Sequence, residues 1–256
     1  MRSFKILALV LTFATSPSRA DNPGVGLQLV ADTGTVEPSK PIRVGVLFQH
    51  RSGFHTYYRA PGIVGMPTQI EWQLPEGFVA GELQWPVPEV TKMFDYLAYG
   101  YESDTLLFAT ITPPAEVPAD LTIRAKVLFM ACADTCHPGA ESLVLSLPNS
   151  SAQPARFDAA AGRVPPAATL PGASARVDGS TLVLTLPSPS EDLVFLPDPN
   201  VYDPNSPQLP TPSGLAIPIM ADARIPEGQA EISGLLGSFE SGKFQRVTVP
   251  LQQARD

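Results

Sequence analysis

The chain has 256 residues and a formal net charge of −8, which argues against nucleic acid or an anionic membrane surface as its partner. Its 29 prolines, about twice the ordinary usage, disfavour a helical protein, because proline breaks helices and is confined to turns and strand edges. Hydrophobic residues make up 44% of the chain, enough to bury a core and to exclude wholesale disorder.

The first twenty residues have the pattern of a secretory signal peptide. A basic start, MRSFK, precedes about ten apolar residues and a small-residue end at Ser18-Arg19-Ala20. The apolar run is shorter than the roughly 20 residues that a membrane-spanning helix needs, and no later stretch approaches a span. We therefore expect cleavage after residue 20 and export of the remaining chain, from about Asp21, to the periplasm as a soluble protein.

Short apolar stretches separated by turn signals predict β-strands of about five to eight residues along residues 21–148. The clearest is 121–129, in which every odd position is apolar, as in a strand with one buried face. Trp72 and Trp85 lie in strand-like runs and are predicted to pack in the core. The spacing of the strands, without any long helical pattern, predicts a sandwich of two packed sheets.

The composition changes between residues 149 and 168, where Ala, Pro and Ser replace the large apolar residues. We interpret this stretch as a linker whose centre, ARFDAAAGR, is compatible with a short helix. The strand pattern returns in residues 169–256, where Asp178-Gly179 between two alternating runs predicts a hairpin. The Asp- and Pro-rich run 197–205 lacks the ligand order of a calcium loop and is predicted to be a rigid, solvated loop. Two all-β domains, 21–148 and 169–256, fit this pattern best.

The chain contains only two cysteines, Cys132 and Cys136, both expected at the end of one strand. In an oxidising compartment such a pair forms a disulfide at least transiently. A bridge that closes about five residues restrains the unfolded chain by roughly 2 kcal/mol, against about 4.7 kcal/mol for a 100-residue loop. A structural disulfide of a β-sandwich would instead join distant strands across the two sheets. The position of the pair therefore favours redox chemistry over stapling.

Metal binding is an alternative use of the same thiols. Cys132, Cys136 and His137 offer soft ligands for copper or zinc. A structural zinc site needs four ligands, however, and neither His50 nor His55 is obviously placed to complete one. We expect His137 to be a turn residue and His55 to have a surface or structural role, and we predict no metal site and no cofactor.

A set of motifs in unbroken order carries a family resemblance: GFHTYY at 53–58, GMPT at 65–68, IEWQLP at 70–75, GELQWPVP at 81–88 and YGYE at 99–102. With the cysteine motif and the strand that follows it, they resemble the N-terminal periplasmic domain of DsbD-type disulfide reductases, in the ScsB-like branch. The resemblance covers about residues 25–148. The second domain resembles, more weakly, the cysteine-free β-domain that follows in ScsB-like proteins.

The resemblance implies an immunoglobulin-like sandwich, and so predicts two such domains after a cleaved signal peptide, with the cysteine pair on a hairpin of the first. It also implies a thiol–disulfide oxidoreductase that accepts electrons from a membrane thiol relay through a thioredoxin-like domain. Its electron acceptors would be periplasmic thioredoxin-fold oxidoreductases. Cys136 would be the attacking nucleophile and Cys132 the resolving thiol.

The best-known members of this family cover their cysteines with a loop that bears a Phe before Tyr-Gly. Here Ala98 precedes Tyr99-Gly100, so the shielding is expected from Tyr99, Tyr101 or Phe94. No transmembrane or thioredoxin-like domain is recognisable in the sequence, so the chain is expected to use a separate membrane relay. Two alternatives stay open: a non-catalytic protein-binding module with a structural disulfide, and a copper-handling protein.

Overall fold

The structure of the chain, a computed structural model, describes residues 22–148 and 150–252. The predicted signal peptide lies outside these residues. The described residues contain eighteen strands and one α-helix, which confirms the predicted all-β class. No helix in the described ranges is long and apolar enough to cross a membrane.

The first unit of the fold contains ten strands arranged in three antiparallel sheets. The strands are β1 (Val25–Ala31), β2 (Ile42–His50), β3 (Thr56–Tyr57), β4 (Gln69–Gln73), β5 (Val79–Ala80), β6 (Glu89–Met93), β7 (Tyr96–Tyr101), β8 (Thr105–Thr112), β9 (Leu121–Cys132) and β10 (Cys136–Leu147). Hydrogen-bonded neighbours follow the order β1-β2-β8-β5 in the first sheet, β10-β9-β4 in the second and β3-β7-β6 in the third.

The core of the first unit lies between its first two sheets. The odd positions of β9 from Leu121 to Phe129 are all buried, which confirms the predicted alternation. The ring of Phe129 meets that of Phe48 on β2 edge-on, with the centroids 6.1 Å apart. Trp85 and, partly buried, Trp72 pack in the same cluster, as predicted. Full burial of one large apolar side chain stabilises the fold by roughly 1.5–3 kcal/mol, so this face of β9 fixes the strand that carries Cys132.

Strand β10 begins at Cys136, well before the strand predicted from the apolar run at residues 142–148. Because β10 is the edge of its sheet, Pro138 can lie within it at little cost in ladder hydrogen bonds. His137 is consequently a strand residue paired with Ala131, and its prediction as a turn residue is wrong.

The segment between the two groups of strands packs on the first unit. Its helix α1 (Pro154–Ala161) lies where the short helix was predicted and has a proline in its first turn. Phe157 is fully buried against Val30, Leu47 and Phe108 on the outer face of the first sheet. The guanidinium of Arg43 also lies 2.9 Å from the carboxylate of Asp158. The helix is therefore docked against the first sheet.

The second unit contains the remaining strands and no cysteine. They are β11 (Ala167–Ala168), β12 (Ser174–Asp178), β13 (Thr181–Thr185), β14 (Val194–Pro197), β15 (Leu209–Thr211), β16 (Gly214–Pro218), β17 (Glu231–Ser238) and β18 (Lys243–Gln252). They pair in the order β14-β17-β18-β12-β13-β16-β15, with β11 beside β18. Gly179 has a φ of 59° in the turn between β12 and β13, which confirms the hairpin predicted at this point.

Side-chain contacts join the two units, and in the described ranges no strand of one pairs with a strand of the other. Asp198 forms ion pairs with Arg59 of the first unit and Arg246 of the second, each with an N···O distance of 2.6 Å. The ring of Tyr99 stacks on Phe239 with the centroids 5.8 Å apart. The loop predicted to be solvated at 197–205 therefore packs against the first unit.

Candidate functional site

The two cysteines form a disulfide across one hairpin. Cys132 is the last residue of β9, Cys136 the first of β10, and the two are direct cross-strand partners. Their Cα atoms lie 4.1 Å apart and the S–S distance is 2.02 Å. The expectation that both lie at the end of one strand is wrong, because the short loop between them reverses the chain. Since β9 and β10 are already hydrogen-bonded along twelve residue pairs, the bridge adds little to the cohesion of the fold.

The two cysteines differ sharply in exposure. Cys132 is fully buried, whereas Cys136 is exposed. The backbone N–H and C=O of Cys132 both pair with His55, at 3.0 and 2.9 Å. Its side chain packs in a small apolar cluster with Tyr57 and Ala98. β10 lies on one side of Cys132 and His55 on the other, so Cys136 is the more accessible residue of the pair.

Strands β6 and β7 form a hairpin, here called the cap hairpin (residues 89–101), that covers this cluster. The sulfur of Met93 lies 3.8 Å from the sulfur of Cys136. Ala98, on the facing strand, is fully buried in the cluster with Cys132. The hydroxyl of Thr91 donates to the carbonyl of Ala98 at 3.3 Å and ties the two strands together. Met93 was missed in the sequence, where its only signal is its place next to Phe94.

The three residues predicted to cap the cysteines lie at different places. Phe94 is in the two-residue turn at the tip of the cap hairpin, with 71% of its surface exposed and a φ of 53°. Tyr99 is buried against Phe239 of the second unit. Tyr101 is buried in the main core and donates its hydroxyl proton to the carbonyl of Pro86 at 2.8 Å. The described contact with the Cys136 sulfur comes from Met93.

A buried histidine and tyrosine lie next to Cys132. His55 is only 3% exposed, so it is not the surface residue that the sequence allowed, and its Nε2 lies 3.1 Å from the hydroxyl of Tyr57. Burial lowers the pKa of His55 and raises that of Tyr57 to about 12, so both are neutral near pH 7. They therefore line the buried Cys132 with polar atoms but place no charge there. Residues two apart on a strand share a face, which is the sequence signal for this pair.

Polar contacts hold the start of β10 in the hairpin that carries the cysteines. The hydroxyl of Thr135 lies 2.9 Å from Nε2 of His137, and the amide of Asn22 donates to the His137 carbonyl at 3.1 Å. Within residues 22–148 and 150–252, no three His, Cys, Asp or Glu side chains come together as a metal site requires.

Residues 28–148 match the family model described as the N-terminal domain of the thiol:disulfide interchange protein DsbD. The matched range contains nine complete strands, most of β1 and both cysteines. These residues form a DsbD-type N-terminal domain. Together with the Cys132–Cys136 disulfide, this membership makes the domain a thiol–disulfide interchange module.

Solved structures extend the likeness beyond this domain. The N-terminal periplasmic domain of ScsB from Proteus mirabilis aligns with a TM-score of 0.62 at 17% identity, over 93% of this chain and 97% of that one. At this identity the match shows a shared fold, and it includes the second unit. The periplasmic chaperone SfaE aligns over 89% of the chain at 13% identity, with a TM-score of 0.23 that is too low to indicate a shared fold. No curated protein sequence matches the chain significantly.

Proposed function

We propose that the chain is a periplasmic electron carrier of thiol–disulfide exchange, with Cys136 as nucleophile and Cys132 as resolving thiol. Reducing equivalents would come from a membrane thiol relay with a thioredoxin-like domain and pass to periplasmic thioredoxin-fold oxidoreductases. The observation that carries the proposal is the contrast between an exposed Cys136 and a fully buried Cys132 within one disulfide. A bridge with one exposed and one buried cysteine favours the exposed residue as the point of entry for every exchange.

Electron delivery follows from this asymmetry. In the reduced protein the Cys136 thiolate attacks one sulfur of the acceptor's disulfide, which breaks that bond and leaves a mixed disulfide and an acceptor thiolate. The Cys132 thiolate then attacks the Cys136 sulfur and displaces the acceptor's second thiolate. Two electrons have moved, the acceptor takes up two protons, and the Cys132–Cys136 bridge is closed. The hairpin register keeps Cys132 opposite Cys136 throughout, so the second step is intramolecular.

Recharging uses the same sulfur in the opposite direction. A thiolate of the donor attacks the Cys136 sulfur, which breaks the S–S bond and displaces Cys132 as the thiolate. The donor's second thiolate then resolves the mixed disulfide, which leaves the donor oxidised and the pair reduced.

The direct test is a transfer assay with the residue 21–256 protein. We expect the reduced protein, mixed with an oxidised periplasmic thioredoxin-fold oxidoreductase, to lose two thiols for every disulfide reduced in the acceptor. Alkylation of free thiols followed by mass spectrometry measures both changes. In a second arm, a thioredoxin and its reductase serve as electron donor, and the rate of acceptor reduction is measured with and without the protein. Equal rates would contradict the proposal.

A further inference from the structure

We propose that Asn205 of the second unit is a positioning residue for the exchange site. It holds the cap hairpin against the Cys132–Cys136 disulfide and thereby sets how fast the disulfide is attacked. The inference deepens the proposed function and rests on it, because a cover is useful only over a disulfide that exchanges. It also gives the cysteine-free second unit a part in the reaction.

The side chain of Asn205 takes the place of a missing strand beside β7. Its Oδ1 accepts the backbone N–H of Leu97 at 2.8 Å, and its Nδ2 donates to the Leu97 carbonyl at 3.3 Å. On the same side of β7, the backbone groups of Tyr99 pair with Pro61 and Tyr58, and β3 pairs only further along the strand. Leu97 has no strand partner on this side. The amide of Asn205 supplies the acceptor for its backbone N–H and the donor for its carbonyl.

The loop that carries Asn205 is seated firmly on the first unit. Asp203 accepts hydrogen bonds from both the backbone and the side-chain nitrogen of Asn205, at 2.9 and 2.7 Å, which orients the amide. Asn200 makes the same paired contact with the backbone of Gly62, at 2.8 and 2.9 Å. Gly62 has a φ of 105°, and a Cβ there would lie 2.3 Å from Pro204, so only glycine lets the loop approach this closely.

The held residue is next to both contacts on the disulfide. Leu97 directly precedes Ala98, which is buried in the cluster with Cys132. Its cross-strand partner is Lys92, which directly precedes Met93 on the Cys136 sulfur. Lifting the cap hairpin off the disulfide therefore requires β7 to leave Asn205, and the paired hydrogen bonds oppose that movement.

The test compares two single variants in the residue 21–256 protein. Asn205→Ala is expected to speed reduction of the disulfide by a water-soluble phosphine about fivefold, the factor that corresponds to loss of about 1 kcal/mol from the covered state. The phosphine needs no protein partner; it is oxidised to its oxide as the disulfide takes up two electrons and two protons. Asn200→Ala is the matched control, since Asn200 makes the same paired contact between the same units but bonds to Gly62 and not to a residue of the cap hairpin. It is expected to react at the wild-type rate.

Two results would overturn the inference: a wild-type rate for Asn205→Ala, or equal acceleration by Asn200→Ala, which would indicate general loosening between the units. Thermal unfolding of both variants shows whether they lose similar stability. If Asn205→Ala alone speeds the phosphine reaction but no variant exchanges with a thioredoxin-fold protein, the cover stands and the proposed function fails.

Discussion

Cys136→Ala is expected to abolish exchange with protein disulfides, whereas Cys132→Ala should trap the partner. Cys136 is the exposed residue of the pair, so its removal leaves only the thiol of the fully buried Cys132, which a partner disulfide is not expected to reach. The loss should be at least about 10³-fold, as for removal of an enzyme nucleophile. In Cys132→Ala the first attack proceeds, but nothing resolves the mixed disulfide. Non-reducing electrophoresis with an oxidised thioredoxin-fold partner measures the trapped complex.

The double variant Cys132→Ala/Cys136→Ala is the control for non-covalent association in this experiment. Both single variants remove the same bridge, so any difference between them reports on the reactivity of the remaining thiol and not on stability. If Cys136→Ala trapped the partner as well as Cys132→Ala does, the assignment of roles from exposure would be wrong.

Acidification from pH 6.5 to 4 is expected to lower the free energy of unfolding by roughly 3 kcal/mol through His50. Burial lowers the pKa of His50 from 6.5 to about 4 in the folded chain, while its Nε2 lies 2.9 Å from the hydroxyl of Thr56. Above pH 6.5 the histidine is neutral in both states and has no effect. Between the two values the unfolded chain binds a proton that the folded chain does not, so stability falls as the pH falls. Below about pH 4 both states are protonated and the loss levels off.

Urea unfolding at several pH values measures this effect. His50→Gln is the matched variant, since its side chain is polar and does not titrate. Its free energy of unfolding should fall less steeply with falling pH than that of the wild type. Between pH 6.5 and about 4, the two slopes should differ by about 1.4 kcal/mol per pH unit. His55, whose pKa burial also lowers, is present in both proteins and adds to the slope of each. Identical slopes for the wild type and the variant would show that His50 is not the group responsible.

The features that the sequence predicted are those with a local signal. Alternation over residues 121–129 predicts the buried face of β9, and Asp178-Gly179 predicts the hairpin of β12 and β13. Both signals are local, because strand faces and tight turns depend on residues close in the chain. The cysteine pair stood out for the same reason. The start of β10 at Cys136 did not, since only the edge position of the strand accommodates Pro138, and edge positions are set by the whole sheet.

The cap of the disulfide depends on tertiary contacts that leave no local pattern. Met93 touches Cys136 because the third sheet packs over the end of β9 at a particular register. The contacts of Asn205 with Leu97 and of Asn200 with Gly62 span 108 and 138 residues of the chain. A loop rich in Asp, Asn and Pro is typical of a solvated turn. Its asparagine amides pair with backbone groups here only because the first unit lies beside the loop.

The reduction potential of the Cys132–Cys136 disulfide tests the central claim most directly. It is measured by equilibrating the residue 21–256 protein with a series of glutathione or dithiothreitol buffers and counting free thiols. An electron carrier is expected to have a potential between about −180 and −270 mV, the range of proteins that exchange disulfides. A potential below about −300 mV would contradict the account, because it is typical of a structural bridge, and would favour a non-catalytic protein-binding module instead.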